Sequence, residues 1–348
     1  MKMKKYLLLL LFVLPLFLTS CDDDDDDLQG DWWKVSGMDS APMKLGAGFV
    51  IDNNFYIGTG IKEKNDTRLK TFYSYNKTSN QWTKLTDFEG TARTEAVGFA
   101  IDTKGYIGLG TNATDDCLSD FYEYDPSTDS WTQIADYPNA VHSAVAFTIG
   151  ETAYVGTGKN DDDDLLKTFY SYDPSANSWT KISSCGNDGR YASCAFVIDE
   201  TGYVVTGYSG SGVAKDLWAY NPTSNTWTEK RKITNYTDES YDNDYSNITR
   251  RYGCAFVING KGYLACGGSS GTITNTWEYD PSDDTWEERT SFEGSGRFGA
   301  IGFSFGGDYG YVVSGGSSYS KSSGYYYSDM WAFDPTLDYD EKDSYEGN

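Results

Sequence analysis

One phrase returns six times along the 348-residue chain, and it limits the possible folds more than any other property of the sequence. An apolar run, a tight turn and a tyrosine-bearing run closing on glycine are followed by an aromatic strand ending in Asp or Asn, then a tryptophan. The first half reads GFVIDNNFYIGTG, GFAIDTKGYIGLG and AFTIGETAYVGTG; the second reads AFVIDETGYVVTG, AFVINGKGYLACGG and GFSFGGDYGYVVSGG. The tyrosines Tyr56, Tyr106, Tyr154, Tyr203, Tyr263 and Tyr311 are 50, 48, 49, 60 and 48 residues apart. The tryptophans Trp32, Trp82, Trp131, Trp179, Trp227 and Trp286 step by 50, 49, 48, 48 and 59. One unit is therefore about 48 residues long, and one interval carries an insertion.

Apolar–polar alternation and Asp-Pro-Ser or Asn-Pro-Thr turns divide each unit into four antiparallel strands. In the third unit, 144–149 turns at Gly150 and Glu151 into 153–157, and 168–173 turns through Pro174 into 179–182. Such a unit cannot bury both faces alone, so a period near 50 specifies an all-β propeller of stacked blades. The first strand of each unit is rich in small residues, among them Gly46, Gly48, Ala96, Cys194 and Gly253, as the crowded axis requires. The glycine-closed second strand, aromatic third strand and tryptophan in the fourth resemble the kelch repeat, over residues 31–335. After Asp334 and Pro335 the expected tryptophan is missing, because position 340 is Asp340, and Trp32 and Trp33 supply that strand from the other end of the chain. The expectation is a six-bladed kelch-type β-propeller closed by an N-terminal strand that completes the C-terminal blade and removes exposed edges. A monomer is expected.

Residues 1–20 read as a signal peptide: Lys2, Lys4 and Lys5 precede the apolar run Leu7–Leu18, which is short for a membrane span. Leu18 to Cys21 resembles a bacterial lipobox, which implies lipidation of Cys21, export and an outer-membrane anchor. Residues 21–30 form an acidic tether resembling that of surface-exposed lipoproteins, and 336–348 an acidic tail. The net charge of −24 disfavours nucleic acid, whose phosphates need a basic footprint. Cys117, Cys185, Cys194, Cys254 and Cys266 lack metal-type spacing, and Cys194 and Cys254 read as small core residues at equivalent positions. No cofactor or metal is expected, and Asp161–Asp164 reads as a solvated acidic loop because it lacks the alternating spacing of a calcium loop.

Strand polarity places the long loops 61–70, 111–119, 159–167 and 317–328, and the insertion 233–250, on one face. Function concentrates on such loops. Five or six residues before the first-strand phenylalanines Phe49, Phe99, Phe147, Phe196, Phe256 and Phe303 stand Lys44, Arg93, His142, Arg190, Arg250 with Arg251, and Arg297. The expected ligand site is an axial mouth lined by Lys44, Arg93, His142, Arg190, Arg251 and Arg297, with Tyr191, Tyr252 and Phe298 as aromatic wall. A guanidinium fork matches a carboxylate, so a glycan or carboxylated small molecule bound without catalysis is the expected ligand. The alternative reading is that these bases only bond loop carbonyls or neighbouring acids. The kelch resemblance implies ligand binding at this mouth, often through arginines. It also brings in the copper-radical galactose oxidases, whose metal site needs two histidines where this chain has His142 alone. Similarity to kelch sialic-acid mutarotases implies an enzymatic alternative with Glu95, His142 and Arg190 as base, acid and carboxylate clamp. A protein-interaction scaffold is the third reading.

Overall fold

The computed structural model describes residues 28–38, 41–62, 66–233 and 247–340. Among the described residues six four-stranded antiparallel sheets follow one another, and each of the first five adds its strands in chain order, with short extra ribbons interrupting the first and fourth. In the third blade these are Val145–Ile149, Thr152–Gly156, Phe169–Asp173 and Ser178–Ile182, within one residue of the expected bounds. The sixth sheet orders Gln29–Val35, Met330–Asp338, Gly310–Val313 and Ile301–Ser304, with Trp32 opposite Phe333 and Trp33 opposite Ala332. The expected exchange of the outermost strand is present. It is longer than expected, since Gln29 pairs with Asp338, three residues beyond 335. The signal segment, Cys21, the first part of the tether, most of the insertion and residues 341–348 lie outside the described residues.

Each element of the repeat has a packing role. The innermost-strand phenylalanine of every blade stacks on the second-strand tyrosine beside it, with centroids 5.0–5.5 Å apart. The rings Phe49, Phe147, Phe196 and Phe256 lie over Gly105, Gly202, Gly262 and Gly310 of the following blade, where a Cβ would collide with them. Burying one such ring contributes roughly 2–3 kcal/mol, so the interfaces between blades dominate cohesion. At the seam between the sixth and first blades, Phe303 instead stacks flat on Phe55 at 3.7 Å.

The outer rim is riveted by polar bonds. The third-strand hydroxyls of Tyr75, Tyr124, Tyr172, Tyr220 and Tyr279 donate to Asn80, Asp129, Asn177, Asn225 and Asp284 at 2.7–3.1 Å. These five Asx residues hold left-handed φ between 44° and 62°, a conformation their short polar side chains tolerate. Four of them also accept a backbone N–H from the preceding blade, at Thr86, Ala135, Ser183 and Arg231. The indoles of Trp82, Trp131, Trp179 and Trp227 donate to Ser36, Thr86, Ala135 and Ser183 carbonyls beside them.

Two closed rings of backbone hydrogen bonds surround the axis. In the first, Glu95 N–H donates to Leu45, Ser143 to Glu95, Ala192 to Ser143, Tyr252 to Ala192, Gly299 to Tyr252 and Leu45 to Gly299, all at 2.8–3.0 Å. In the second, the glycines ending the second strands, Gly60, Gly110, Gly158, Gly207, Gly267 and Gly315, donate to Arg93, Val141, Arg190, Arg250, Arg297 and Met43 of the next blade. Those glycines have φ of 74–99°, which aims the N–H across the interface. Inside the rings, the small residues of the innermost strands leave a channel of about 210 Å³.

At Gly110 (φ +91°) an added Cβ meets the Thr94 carbonyl and Ala96 backbone, whereas at Gly150 (φ +58°) it meets nothing within 4 Å. Thermal and denaturant unfolding should show Gly110→Ala losing about 3 kcal/mol or more and Gly150→Ala only about 1 kcal/mol. Equal losses would mean that the interblade ring does not govern stability.

Candidate functional site

The six residues of the first ring stand four places before the innermost-strand phenylalanines. All have φ of 51–62°, so the chain makes the same left-handed step at the mouth in every blade. That step separates two positions that look alike in sequence. The residue six before the phenylalanine turns into the blade, and the residue five before it stands at the rim.

Arg93, Arg190, Arg250 and Arg297 occupy the inner position and are fully buried. Each donates to the carbonyl just ahead of its own blade's ring glycine: Leu109, Thr206, Cys266 and Ser314. Three of them reach the aspartate that opens the third strand. Arg190 binds Asp216 bidentately at 2.6 and 2.7 Å, Arg297 binds Asp329 at 2.6 and 3.0 Å, and Arg93 pairs with Asp120 at 2.8 Å. Arg250 meets carbonyls only, including those of Asn275, Asn247 and Ile248. The expectation that Arg93, Arg190 and Arg297 line the mouth is corrected. They brace the corner between the first and third strands, and their charges are neutralised locally. Phe298 is likewise buried, with its edge toward Tyr319 at 5.6 Å.

Lys44 holds a rim position but is also buried. Its ammonium donates to the Ser318, Ser320 and Ser323 carbonyls of the 317–328 loop at 2.6–3.0 Å and lies 4.4 Å from the Tyr326 ring. Burial outweighs the opposing field of Asp66 and lowers its pKa to about 8.

The remaining residues converge on Glu95. Its carboxylate accepts from Tyr252 hydroxyl at 2.7 Å and Ser143 hydroxyl at 2.9 Å, and its Oε2 lies 3.3 Å from His142 Nδ1 and 2.9 Å from Lys321 Nζ. Burial alone would raise the Glu95 pKa, but His142 and Lys321 hold it far below the usual carboxylate range. Burial first, and Glu95 second, push the Tyr252 hydroxyl well above its ordinary value. Glu95 and His142 are thus together, while Arg190 is tied to Asp216 and does not join them. From His142 a chain of rings runs along the mouth: Tyr191 at 6.2 Å, then Tyr208 at 5.7 Å and Tyr252 at 6.2 Å from Tyr191. Arg251 closes it, its guanidinium 5.1 Å from the Tyr208 ring and 4.1 Å from the Tyr319 ring. Among the described residues the Arg251 Nε is buried without a hydrogen-bond partner, and its Nη2 donates to Ser269 carbonyl at 3.1 Å.

Lys321, Tyr208 and Tyr319 were not expected from the sequence. They sit in loops outside the repeated strands, and only their placement on the long-loop face hints at a role. Away from the mouth, Cys194 and Cys254 are buried free thiols, and Asp161 and Asp163 are tied to Cys117 N–H and Lys159. Beside the ring, Glu95, Ser143, Ala192 and Tyr252 border a cavity of about 180 Å³.

The arginine clamps make a pH prediction. Burial would raise Asp216 and Asp329, but the hydrogen bonds and charge of Arg190 and Arg297 prevail and hold both below the ordinary 3.8. A carboxyl with a depressed folded pKa stabilises the fold above its unfolded pKa and loses that contribution as pH falls. Melting temperature should therefore drop as pH is lowered below 3.8. Asp329→Ala should cost about 3 kcal/mol at pH 7, because it leaves Arg297 buried without its counter-charge. A loss under about 0.5 kcal/mol would contradict the bracing role, since that is the range of ordinary surface changes.

Comparisons with known proteins agree with this architecture. The family model of the KLHDC2/KLHL20/DRC7 Kelch-repeats domain matches residues 135–305, and that of N-acetylneuraminate epimerase matches residues 40–162. A solved structure titled "Structure of YjhT" superposes with a TM-score of 0.68 at 17% identity, covering 85% of this chain and 96% of that one. No curated protein matches the sequence. The fold is an all-β propeller of four-stranded sheets, and residues 135–305 of it match a kelch-repeat model.

Proposed function

We propose that the propeller binds an acidic sugar at its axial mouth, on the sector from His142 to Arg251. Arg251 carries this reading. A buried guanidinium N–H without a partner costs about 1–3 kcal/mol, and a ligand carboxylate laid along that edge would remove the cost. Tyr191 and Tyr208 offer faces and hydroxyls to a pyranose ring beside it, with Tyr252 packed behind Tyr191. The likeness of residues 40–162 to N-acetylneuraminate epimerase, whose name specifies a carboxylated sugar, supports the ligand class. The acidic chain is consistent with a small ligand met by a few placed cations. Tethering through Cys21 to the outer membrane, with the propeller exposed outside, belongs to the same proposal.

A second reading is favoured by one contact, His142 Nδ1 to Glu95 Oε2 at 3.3 Å. The carboxylate orients the imidazole and leaves Nε2 for a ligand. There it would take the proton of an anomeric hydroxyl as the ring C–O bond breaks and the ring oxygen takes a proton from solvent water; on closure on the other face His142 returns its proton to the new anomeric oxygen and the ring hydroxyl gives its proton back to water, leaving the opposite anomer. This is ring opening and reclosure with no net change in atoms or electrons.

Calorimetry with N-acetylneuraminate and glucuronate should show binding that weakens at least tenfold in Arg251→Ala, the loss of one charge-assisted pair. Unchanged affinity in Arg251→Ala sinks the sugar site. If the protein also catalyses, NMR will show faster anomeric exchange with wild type and not with His142→Ala; no acceleration by wild type leaves a binding module alone. Radiolabelled lipid should enter wild type and not Cys21→Ala.

A further inference from the structure

Loop 317–328 joins the second and third strands of the sixth blade and reaches across the mouth to the second blade. Its tip engages both ends of the sector proposed for the ligand, so this inference rests on that proposal. Lys321 Nζ lies 2.9 Å from Glu95 Oε2, 2.9 Å from Asp115 Oδ1 and 3.2 Å from Thr111 Oγ1. Two residues earlier, Tyr319 covers the Arg251 guanidinium at 4.1 Å. The group that would orient His142 and the group that would bind a carboxylate are therefore both engaged by the protein's own chain.

We infer that this loop is a lid held shut by Lys321, an internal occupant that a ligand must displace. Two observations distinguish it from a fixed wall. The closed arrangement leaves Arg251 Nε buried without a partner among the described residues, a cost that a ligand carboxylate would remove. The loop, SSYSKSSGYYYS, contains no aliphatic side chain, and Tyr325 and Tyr319 are 74% and 42% exposed, so little apolar burial holds it. Lys44 gathers the Ser318, Ser320 and Ser323 carbonyls, and Tyr326 hydroxyl donates to the Lys321 carbonyl at 2.7 Å, so the loop keeps its internal shape and its tip opens only as these bonds loosen with the Lys321 latch. The Lys321 ammonium bridges two carboxylates, and its contacts with Asp115, which is largely exposed, are open to water. Opening exchanges the Glu95 and Asp115 partners of Lys321 for water, and the apparent affinity of a mouth ligand is reduced by the fraction of molecules with the lid shut.

The test compares wild type, Lys321→Met and Lys321→Arg as full-length proteins, by hydrogen exchange over 317–328 and by calorimetry with glucuronate. The methionine variant should exchange at least tenfold faster in that segment and bind glucuronate about tenfold more tightly, the effect of raising an open fraction from about one in ten toward one. The arginine variant, which keeps the charge, should restore slow exchange. Unchanged exchange in Lys321→Met overturns the latch. Faster exchange with equal or weaker glucuronate binding overturns the competition and makes the loop part of the binding wall. Should none of the proteins bind glucuronate, the sugar reading fails on its own, and the exchange data still decide whether Lys321 holds the lid.

Discussion

The two closed circuits of backbone hydrogen bonds around the axis are the constraint on which the other features depend. Each bond joins one blade to the next, and the circuits close between the sixth and first blades through Leu45 N–H to Gly299 and Gly315 N–H to Met43. Left-handed backbone at a non-glycine residue is costly, about 1–2 kcal/mol at each position. Leu45, Glu95, Ser143, Ala192 and Tyr252 adopt it together because the circuit satisfies their peptide groups. The same step sets the direction of the neighbouring side chains. It sends four arginines inward as braces and leaves the next residue at the rim.

The repeat was sufficient for the fold because its signals are local and occur six times. Glycine, tyrosine, Asx and tryptophan at fixed offsets each perform a bond that the sequence can only hint at, but their recurrence gives blade number, strand order and the exchanged strand around Trp32 and Trp33. The site was only partly legible. Lys44, Arg93, His142 and Arg190 look equivalent when positions five and six before the phenylalanine are merged, and one residue decides between a buried clamp and a rim group. Glu95 and His142 were recognisable as neighbours because both lie near the ring in adjacent blades. Lys321 meets Glu95 from 226 positions away in a segment without periodicity, so no pattern in the sequence connects them.

The ring also explains how a symmetric frame holds an asymmetric site. Its six peptide groups are equivalent, whereas the side chains on them are Leu, Glu, Ser, Ala, Tyr and Gly. One carboxylate, one phenol and one hydroxyl converge on the same side, and the rim cations are distributed unevenly around them. A ring of like charges in a chain of net charge −24 would have been answered by repulsion; instead Asp120, Asp216 and Asp329 neutralise Arg93, Arg190 and Arg297 inside their own blades.

The flat stacking of Phe303 on Phe55 makes the closing seam unlike the other interfaces. Four of the interfaces seat a phenylalanine over a glycine, but the first blade presents a phenylalanine where the others present a small residue. Phe303 occupies the same repeat position as Phe256, so the difference lies in the first blade alone, and the seam where the two ends of the ring meet buries two aromatic faces where a glycine interface buries one.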